Sequence, residues 1–554
     1  VKASVPNAET PPRWRAALLL AGATVLALAP FANKAFHIDD TLFLAAARQI
    51  RSHPLDFYGF AINWYGAVRP MAEVMKNPPL DAYFIAAVTA IAGENETALH
   101  LAFLLPAVAA VLGTHALARR VCARPVAAAL AALGTPVFLV SATNVMCDTM
   151  LLAFWVWAIE LWVGGIETGR ARFLVAASLL AALAALTKYF GIALLPLLIV
   201  HGALRRRRLG AWALPLLLTV AVLAAYQRWT LALYGRGLLF DAVSYSASAR
   251  SRLGMSLPDK TVAGLSFLGG CLASAAFFIP WLWKRAALGA GAVAALLGFA
   301  LVFAGRIAPP PLRGAPGAPG TAIQVAVLAV AGFSVLAVAA AELYRLRDAL
   351  SLLLFLWLFG TFAFAVFFNW TINGRSLLPA APAIGILAVR RLELRRGAVP
   401  PAPLAAGFLL ALAVTWSDFR LARTARTAAA ELTKRFAPAG RTLWFEGHWG
   451  FQHYMEARGA SPLDVERSRL TTGDRIVIPM NNSNLFLLPP DAAAVSARID
   501  YAAFPFLATL SPELGAGFYV DIWGPLPFAF GRVPPESYVV LDVVRDVAPG
   551  KIAP

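Results

Sequence analysis

The chain has 554 residues, 59% of them hydrophobic and only 14% charged, with a mean hydropathy of +0.67. Repeated apolar stretches near 20 residues exclude a soluble globular fold and call for an all-α polytopic membrane protein. The formal net charge of +18 would suit nucleic acid only if it formed one face. Instead Lys and Arg fall in short clusters between apolar runs, so no nucleic-acid partner is expected. Cys122, Cys147 and Cys271 lie in or beside different runs, offering neither a disulfide framework nor a metal spacing.

In chain order, Arg13 and Arg15 precede a first run over about 16–31. Ala27-Leu28-Ala29 imitates a signal-peptidase site, but the runs downstream favour an uncleaved first helix. Further runs centre near residues 108, 132, 156, 180, 196, 221, 272, 295, 331, 358, 382 and 408, about 13 transmembrane helices in all. Basic clusters at Arg119-Arg120, Arg170 with Arg172, Arg205 to Arg208, Lys284-Arg285, Arg345 with Arg347 and Arg390-Arg391 recur in alternate loops. The positive-inside rule makes their side, and the N-terminus, cytoplasmic. The other side receives the 39–98 loop, Asp148, Lys188, the 235–260 loop, the 369–375 turn and a breaker-rich Pro/Gly linker at 308–320. From about Arg441 to Asp546, β-like stretches (Leu443–Phe445, Arg475–Ile478, Phe518–Val520, Ser537–Leu541) alternate with Gly, Pro and Asn turns. They predict a small extracytoplasmic α+β domain. The expected layout is a transmembrane catalytic domain over 1–430, with a first periplasmic loop at 32–98, and a soluble periplasmic domain over 431–554.

Chemistry concentrates in the first loop. Asp39-Asp40 opens it and Lys76-Asn77-Pro78-Pro79-Leu80 closes it. Ionised carboxylates cost about 2.5–3.5 kcal/mol each at a bilayer centre, so a membrane protein keeps them for interfaces, polar cavities or chemistry. The 41–50 segment is helix-prone, and one acidic residue at its start suffices as a cap; two leave one spare. The apolar stretch from Pro79 to Ala92 is too short to span and predicts a helix lying at the outer leaflet. An acidic pair, a cation and a rigid Pro-Pro in one such loop are what a lipid-phosphate-dependent transferase needs. Asp148, near Asn144, reads as a helix N-cap or a second site acid. In the tail, Trp444 to Tyr454 interleaves aromatic residues with Glu, His and Gln. Trp449 and Gln452 there suit a sugar ring, while a domain core is the alternative use of such aromatics.

The acidic pair after the first span, Asn77-Pro78-Pro79-Leu80, Asp148 opening the fourth span, Leu186-Thr187-Lys188 ending the fifth and Arg375-Ser376-Leu377-Leu378-Pro379 together resemble the membrane glycosyltransferases of the GT-C fold. Within these the likeness is to bacterial relatives of protein O-mannosyltransferases and of the lipid A aminoarabinose transferase, over roughly residues 14–416. Relatives usually carry Asp-Glu in place of Asp39-Asp40, some place Lys where this chain has Asn77, and many have Arg where it has His100. The resemblance implies a multi-pass protein of the bacterial inner membrane that takes a sugar from a polyprenyl-phosphate (undecaprenyl-phosphate) donor. The acceptor is a hydroxyl of a glycolipid, polysaccharide or protein on the periplasmic face.

Inverting displacement of a phosphate needs cations for the leaving group and a base for the acceptor hydroxyl. The resemblance assigns the base to Asp39, with Asp40 and Asp148 supporting it. Lys76, Lys188, Arg375 and Arg69 are the candidates for the donor phosphate, and Asn77 and His100 are further substrate contacts. Lys and Arg at span ends also snorkel to head groups with no further role. No cofactor is required; a divalent cation on Asp39, Asp40, Asp148 and His100 is a secondary option without a compact ligand spacing. Two other classes remain open, a lipid or sugar transporter or flippase and an O-antigen polymerase or ligase. The first would bury charges in mid-span and the second would favour a large late outer loop.

Overall fold

In the computed structural model, which describes residues 12–208, 210–309 and 318–552, every predicted apolar run is helical. Nine helices among the described residues are long and apolar enough to cross a membrane. The other four runs fall short for visible reasons. Pro136 divides the run near 132 into Pro125–Leu133 and Pro136–Ala142, bent by 65°, as expected where Pro removes a helical donor. The run near 272 breaks into Leu257–Cys271, Ala273–Ala276 and Ile279–Leu282. Ala171–Thr187 and Ala380–Arg396 have 17 residues each, the second carrying charges into its last turn. The central part of the 308–320 linker, 310–317, lies outside the described residues.

The basic clusters meet at one end of the helices. Arg120 pairs with Glu160 and Glu167, Arg124 reaches the carbonyl of Gly397, Arg206 that of Ile166, and Arg390 pairs with Asp348. The ends of the spans at Phe31, Ala142, Thr187 and Phe368 lie at the other end, beneath the first loop. That loop forms the predicted helix at Asp40–Ser52 and a 13-residue helix, Leu80–Ala92, from the apolar stretch after Pro79.

The tail is mixed α and β. A five-stranded sheet runs in the order Ser461–Pro462, Leu443–Phe445, Arg475–Pro479, Glu536–Val543, Ala493–Tyr501. Its first two pairings are parallel and its last two antiparallel. Three of the four expected strands are present. The fourth, Phe518–Val520, is not a strand but a loop driven into the helical region. Phe518 accepts from the amide of Gly374 at 2.7 Å and Asp521 donates to the carbonyl of Ile372 at 2.9 Å. The carbonyl of Phe518 is spent on the 372–375 turn, its amide on the carbonyl of Thr509 at 2.9 Å and the amide of Val520 on the carbonyl of Gly517 at 3.0 Å. The last long helix spans Pro401–Phe436, across the expected boundary at 430, and carries the chain from the bilayer into the tail.

Candidate active site

The turn His37-Ile38-Asp39-Asp40 is built by Asp40. Its carboxylate is fully buried and accepts from the amides of His37 at 2.8 Å and Val145 at 2.9 Å. Burial pushes this carboxyl up to about 7, and the two amide donors oppose the rise. Asp40 therefore ties the first loop to the start of the fourth predicted span rather than capping its own helix. Asp39 is the spare acid. The residue before it, Ile38, has φ 48°, a left-handed conformation that a β-branched residue adopts only when its surroundings impose it. Strain of this kind tends to gather at functional sites.

Asp39 points into a cavity of about 780 Å³ shared by the span ends, the first loop and the tail. There it accepts from Arg375 at 2.9 Å. Arg375 stands in the turn that Asn373 caps, and its guanidinium also lies 3.8 Å from Asp148 and over the ring of Tyr519 at 5.7 Å. Asp148, in the first turn of Cys147–Thr168, is held in turn by Lys188 at 2.6 Å. The result is an alternating row, Asp39–Arg375–Asp148–Lys188. Each member of the row has a neighbour of opposite charge type, which offsets the cost of half-burying it. Lys76 borders the same cavity, paired with Asp241 at 2.5 Å and lying over Tyr245 at 5.2 Å. Asn77 lines it as well, its carbonyl accepting from Tyr58.

The remaining candidates divide. Trp449 lines the cavity. Gln452 is buried behind it, donating to the carbonyl of Asn63 at 2.9 Å. His100 is buried with its ring nitrogens on the carbonyls of Glu96 and Thr143 at 2.7 and 3.2 Å, away from the cavity lining. Arg69 forms an exposed pair with Glu466. It too is outside the cavity lining, because its short strand, Val68–Pro70, runs along the tail. Among the described residues no three His, Cys, Asp or Glu side chains gather to hold a metal ion. Asp40 and His100 spend their polar atoms on the backbone.

Two features escaped the sequence reading. Arg250, on the helix Leu238–Leu253, lines the cavity; its guanidinium donates to the carbonyl of Phe368 at 2.7 Å and has no carboxylate partner among the described residues. Only its place in an outer loop signalled it. The second is a fully buried pair, Lys34 with Asp418 at 2.5 Å. Lys34 also donates to Asn144 at 2.6 Å, and Asp418 accepts from Tyr519 at 2.8 Å and Thr509 at 2.9 Å. One network thus joins the end of the first span, the turn between Pro136–Ala142 and Cys147–Thr168, the last long helix and the tail loop that roofs Arg375.

Residues 76–230, a little over a quarter of the chain, match the family model for dolichyl-phosphate-mannose-protein mannosyltransferase. The segment begins at Lys76 and contains Asp148 and Lys188, and it bears out the resemblance drawn from those motifs. Among solved structures, the chain is similar to ArnT from Cupriavidus metallidurans bound to undecaprenyl phosphate. That match has 16% identity and a TM-score of 0.42, over 85% of this chain and 94% of that one. It is also similar to the oligosaccharyltransferase AglB from Archaeoglobus fulgidus in complex with an inhibitory peptide and a dolichol-phosphate. There the identity is 14% and the TM-score 0.47, over 82% of this chain and 65% of that one. Arabinosyltransferase EmbB from Mycobacterium smegmatis gives 15% identity and a TM-score of 0.30, over 90% and 48%. No curated protein sequence matches.

Proposed function

We propose that this multi-pass membrane protein is a glycosyltransferase that moves a sugar from a polyprenyl-phosphate donor to a hydroxyl acceptor on the extracytoplasmic face. The observation that carries the reading is one cavity at the span ends holding a single forward acid, Asp39, among Lys76, Lys188, Arg250 and Arg375. A phosphate leaving group is already a stable anion and needs cations more than a proton. A cation about 4 Å from it contributes roughly 4 kcal/mol of Coulomb energy at an effective dielectric near 20, before desolvation. Arg250, without a carboxylate partner, and Lys76 beside it on the cavity wall are the groups to receive it. The lipid tail stays between span ends while the anomeric carbon faces Asp39.

In this reading Asp39 takes the acceptor's proton as the hydroxyl oxygen bonds to the anomeric carbon and the C–O bond to phosphate breaks. The outcome is inversion. Arg375 holds Asp39 in place in the resting enzyme. When the donor phosphate draws part of that guanidinium, Asp39 is left freer to act as base. Asp40 and Asp148 act through position: one fixes the turn and the other holds Arg375 and Lys188.

Asp39→Asn tests the assignment. The exchange keeps shape and removes the base, so purified variant should bind donor near normally and transfer about 10²–10⁴-fold more slowly. Near-normal turnover would refute Asp39 as base. Labelled donor and a glycosylated product in detergent, where no vectorial transport exists, separate this reading from a transporter.

A further inference from the structure

Five described residues other than glycine have positive φ, and three of them, Ile38, Trp449 and Asn484, line the one cavity that holds Asp39. Ile38 aims the acid. The other two belong to the tail, and neither has a part in the phosphate chemistry. Trp449, at φ 61°, opens the helix Trp449–Glu456. Its backbone is clamped from two sides. Its carbonyl accepts from Thr41 Oγ1 at 2.9 Å, and at the next position only glycine fits, because a Cβ on Gly450 would lie 1.9 Å from the carbonyl oxygen of Phe36. The clamp forces a large side chain into a conformation it disfavours and turns the indole toward the cavity.

Beside it stands Trp523, with ring centroids 5.5 Å apart and planes at 53°. Its indole N–H is already given to Asn481 at 2.9 Å, which fixes the ring. The two rings form an open corner rather than a stack. Ser483, Asn484 and Tyr65, the last 44% exposed, line the same cavity. Every charged residue lining the cavity (Asp39, Lys76, Lys188, Arg250, Arg375) comes from the first 375 residues; the tail contributes none. Rigid aromatic faces with short neutral hydrogen-bonding groups in the same cavity match a pyranose, which has an apolar C–H face and a hydroxyl rim. No charged side chain of the tail lines the cavity to pair with a charged sugar.

We propose that the Trp449–Trp523 corner is the acceptor subsite and takes an uncharged saccharide, so that the acceptor hydroxyl belongs to a glycan rather than to a polypeptide. This rests on the glycosyl-transfer reading above. The donor enters from the bilayer and its phosphate is held by residues of the membrane region. The tail wall faces the aqueous side, and Asp39 lies in the cavity common to both.

The test uses the full protein in lipid nanodiscs, free of sugar-headed detergent. Saturation-transfer NMR follows methyl α-mannopyranoside and maltotriose as neutral probes, glucuronate and glucosamine as charged ones, and an unglycosylated Ser/Thr peptide. Polyprenyl phosphate binding is measured separately. Neutral probes should bind the wild type with polyprenyl phosphate present, and the charged probes at least tenfold less well. Trp449→Gly removes the ring at a position where glycine's backbone is unstrained. It should keep thermal stability and polyprenyl phosphate affinity while losing at least tenfold in saccharide affinity, and Trp523→Leu should do the same. Absence of saccharide binding in protein that binds polyprenyl phosphate overturns the subsite and leaves the transferase reading standing. Saccharide binding without any polyprenyl phosphate binding overturns the transferase reading instead. Displacement of the saccharide by a polyprenyl-phosphate-linked sugar, or Trp449-dependent binding of the peptide, overturns the acceptor assignment.

Discussion

Replacing Lys34 by Met should open the site from both of its sides at once, with a pH dependence that identifies the cause. The side chains of Lys34 and Asp418 are both fully buried. Loss of the cation strands a carboxylate, and breaking a buried pair costs about 3–5 kcal/mol. The ceiling can be worked out, because a stranded buried acid takes up a proton instead of staying charged. Protonating an acid of ordinary pKa near 3.9 at pH 7 costs about 4 kcal/mol, and at pH 5 only about 1.5 kcal/mol. Tyr519 and Thr509 still donate to Asp418, which keeps the true cost at or below these figures. His37, its Nε2 4.0 Å from Asp418, is held neutral by burial, down to about 4. It becomes the alternative cation as pH falls, which lowers the acid-side cost further. Hydrogen exchange on peptides covering 34–40 and 518–521 reads the local opening. Relative to wild type at the same pH, both should exchange up to about a thousandfold faster at pH 7 and only about tenfold faster at pH 5. Lys34→Met with Asp418→Leu should recover much of the loss, since no charge is then stranded. Acceleration confined to 34–40, or equal at both pH values, would refute the argument that this pair ties the tail loop to the first loop.

Donor affinity should fall by about 1–3 kcal/mol in Arg250→Ala and in Lys76→Ala, the range for charge-assisted contacts, while Arg69→Ala should leave it unchanged; binding of labelled polyprenyl phosphate checks all three. Asp40, with its folded-state value raised to about 7 from 3.8, favours the native state most below pH 4. Its contribution declines as pH rises to 7, by up to about 4 kcal/mol. Asp40→Asn should flatten that part of the pH–stability profile and lower its whole level through one lost amide acceptor, read by thermal unfolding across pH 4–8. For orientation, Ser496→Cys on the exposed edge strand should react with an impermeant thiol reagent in intact spheroplasts, and Arg172→Cys only after lysis; the reverse pattern would invert the topology.

Thirteen apolar runs were legible because length and hydropathy suffice to place a helix in a bilayer. The alternating basic clusters were legible for the same reason, and their contacts at one end of the helices agree with the alternation. Asp39 and Arg375 could be singled out one by one, but not their pairing across 336 residues, because nothing in a local pattern encodes which span ends meet. The duties of the acidic pair were likewise hidden. Either residue suits a helix cap, and the choice was made by the amide of Val145, 105 residues away. Phe518-Tyr519-Val520 has the composition of a strand and was read as one. Tertiary demand overrode propensity there, as Phe518 and Tyr519 bury against the 373–375 turn and Asp418 claims the phenol. Lys34 fell just outside the apolar run, where a lysine ordinarily reads as an interface residue; its complete burial follows from partners at 143, 144 and 418.

These long-range ties bear on what counts as the catalytic unit. A membrane region ending at 430 would sever the helix Pro401–Phe436 inside its length and would leave Asp418 without Tyr519 and Thr509. The turn that presents Arg375 would lose its hydrogen bonds to Phe518 and from Asp521, and Trp449 would no longer hold Thr41 one residue beyond Asp40. Each of these contacts positions one of the two members of the Asp39–Arg375 pair. The family match over 76–230 includes neither. On the proposed reading the chemistry sits at a junction: span ends supply Lys188 and Arg375, outer loops supply Asp39, Lys76 and Arg250, and the tail fixes the Asp39–Arg375 geometry.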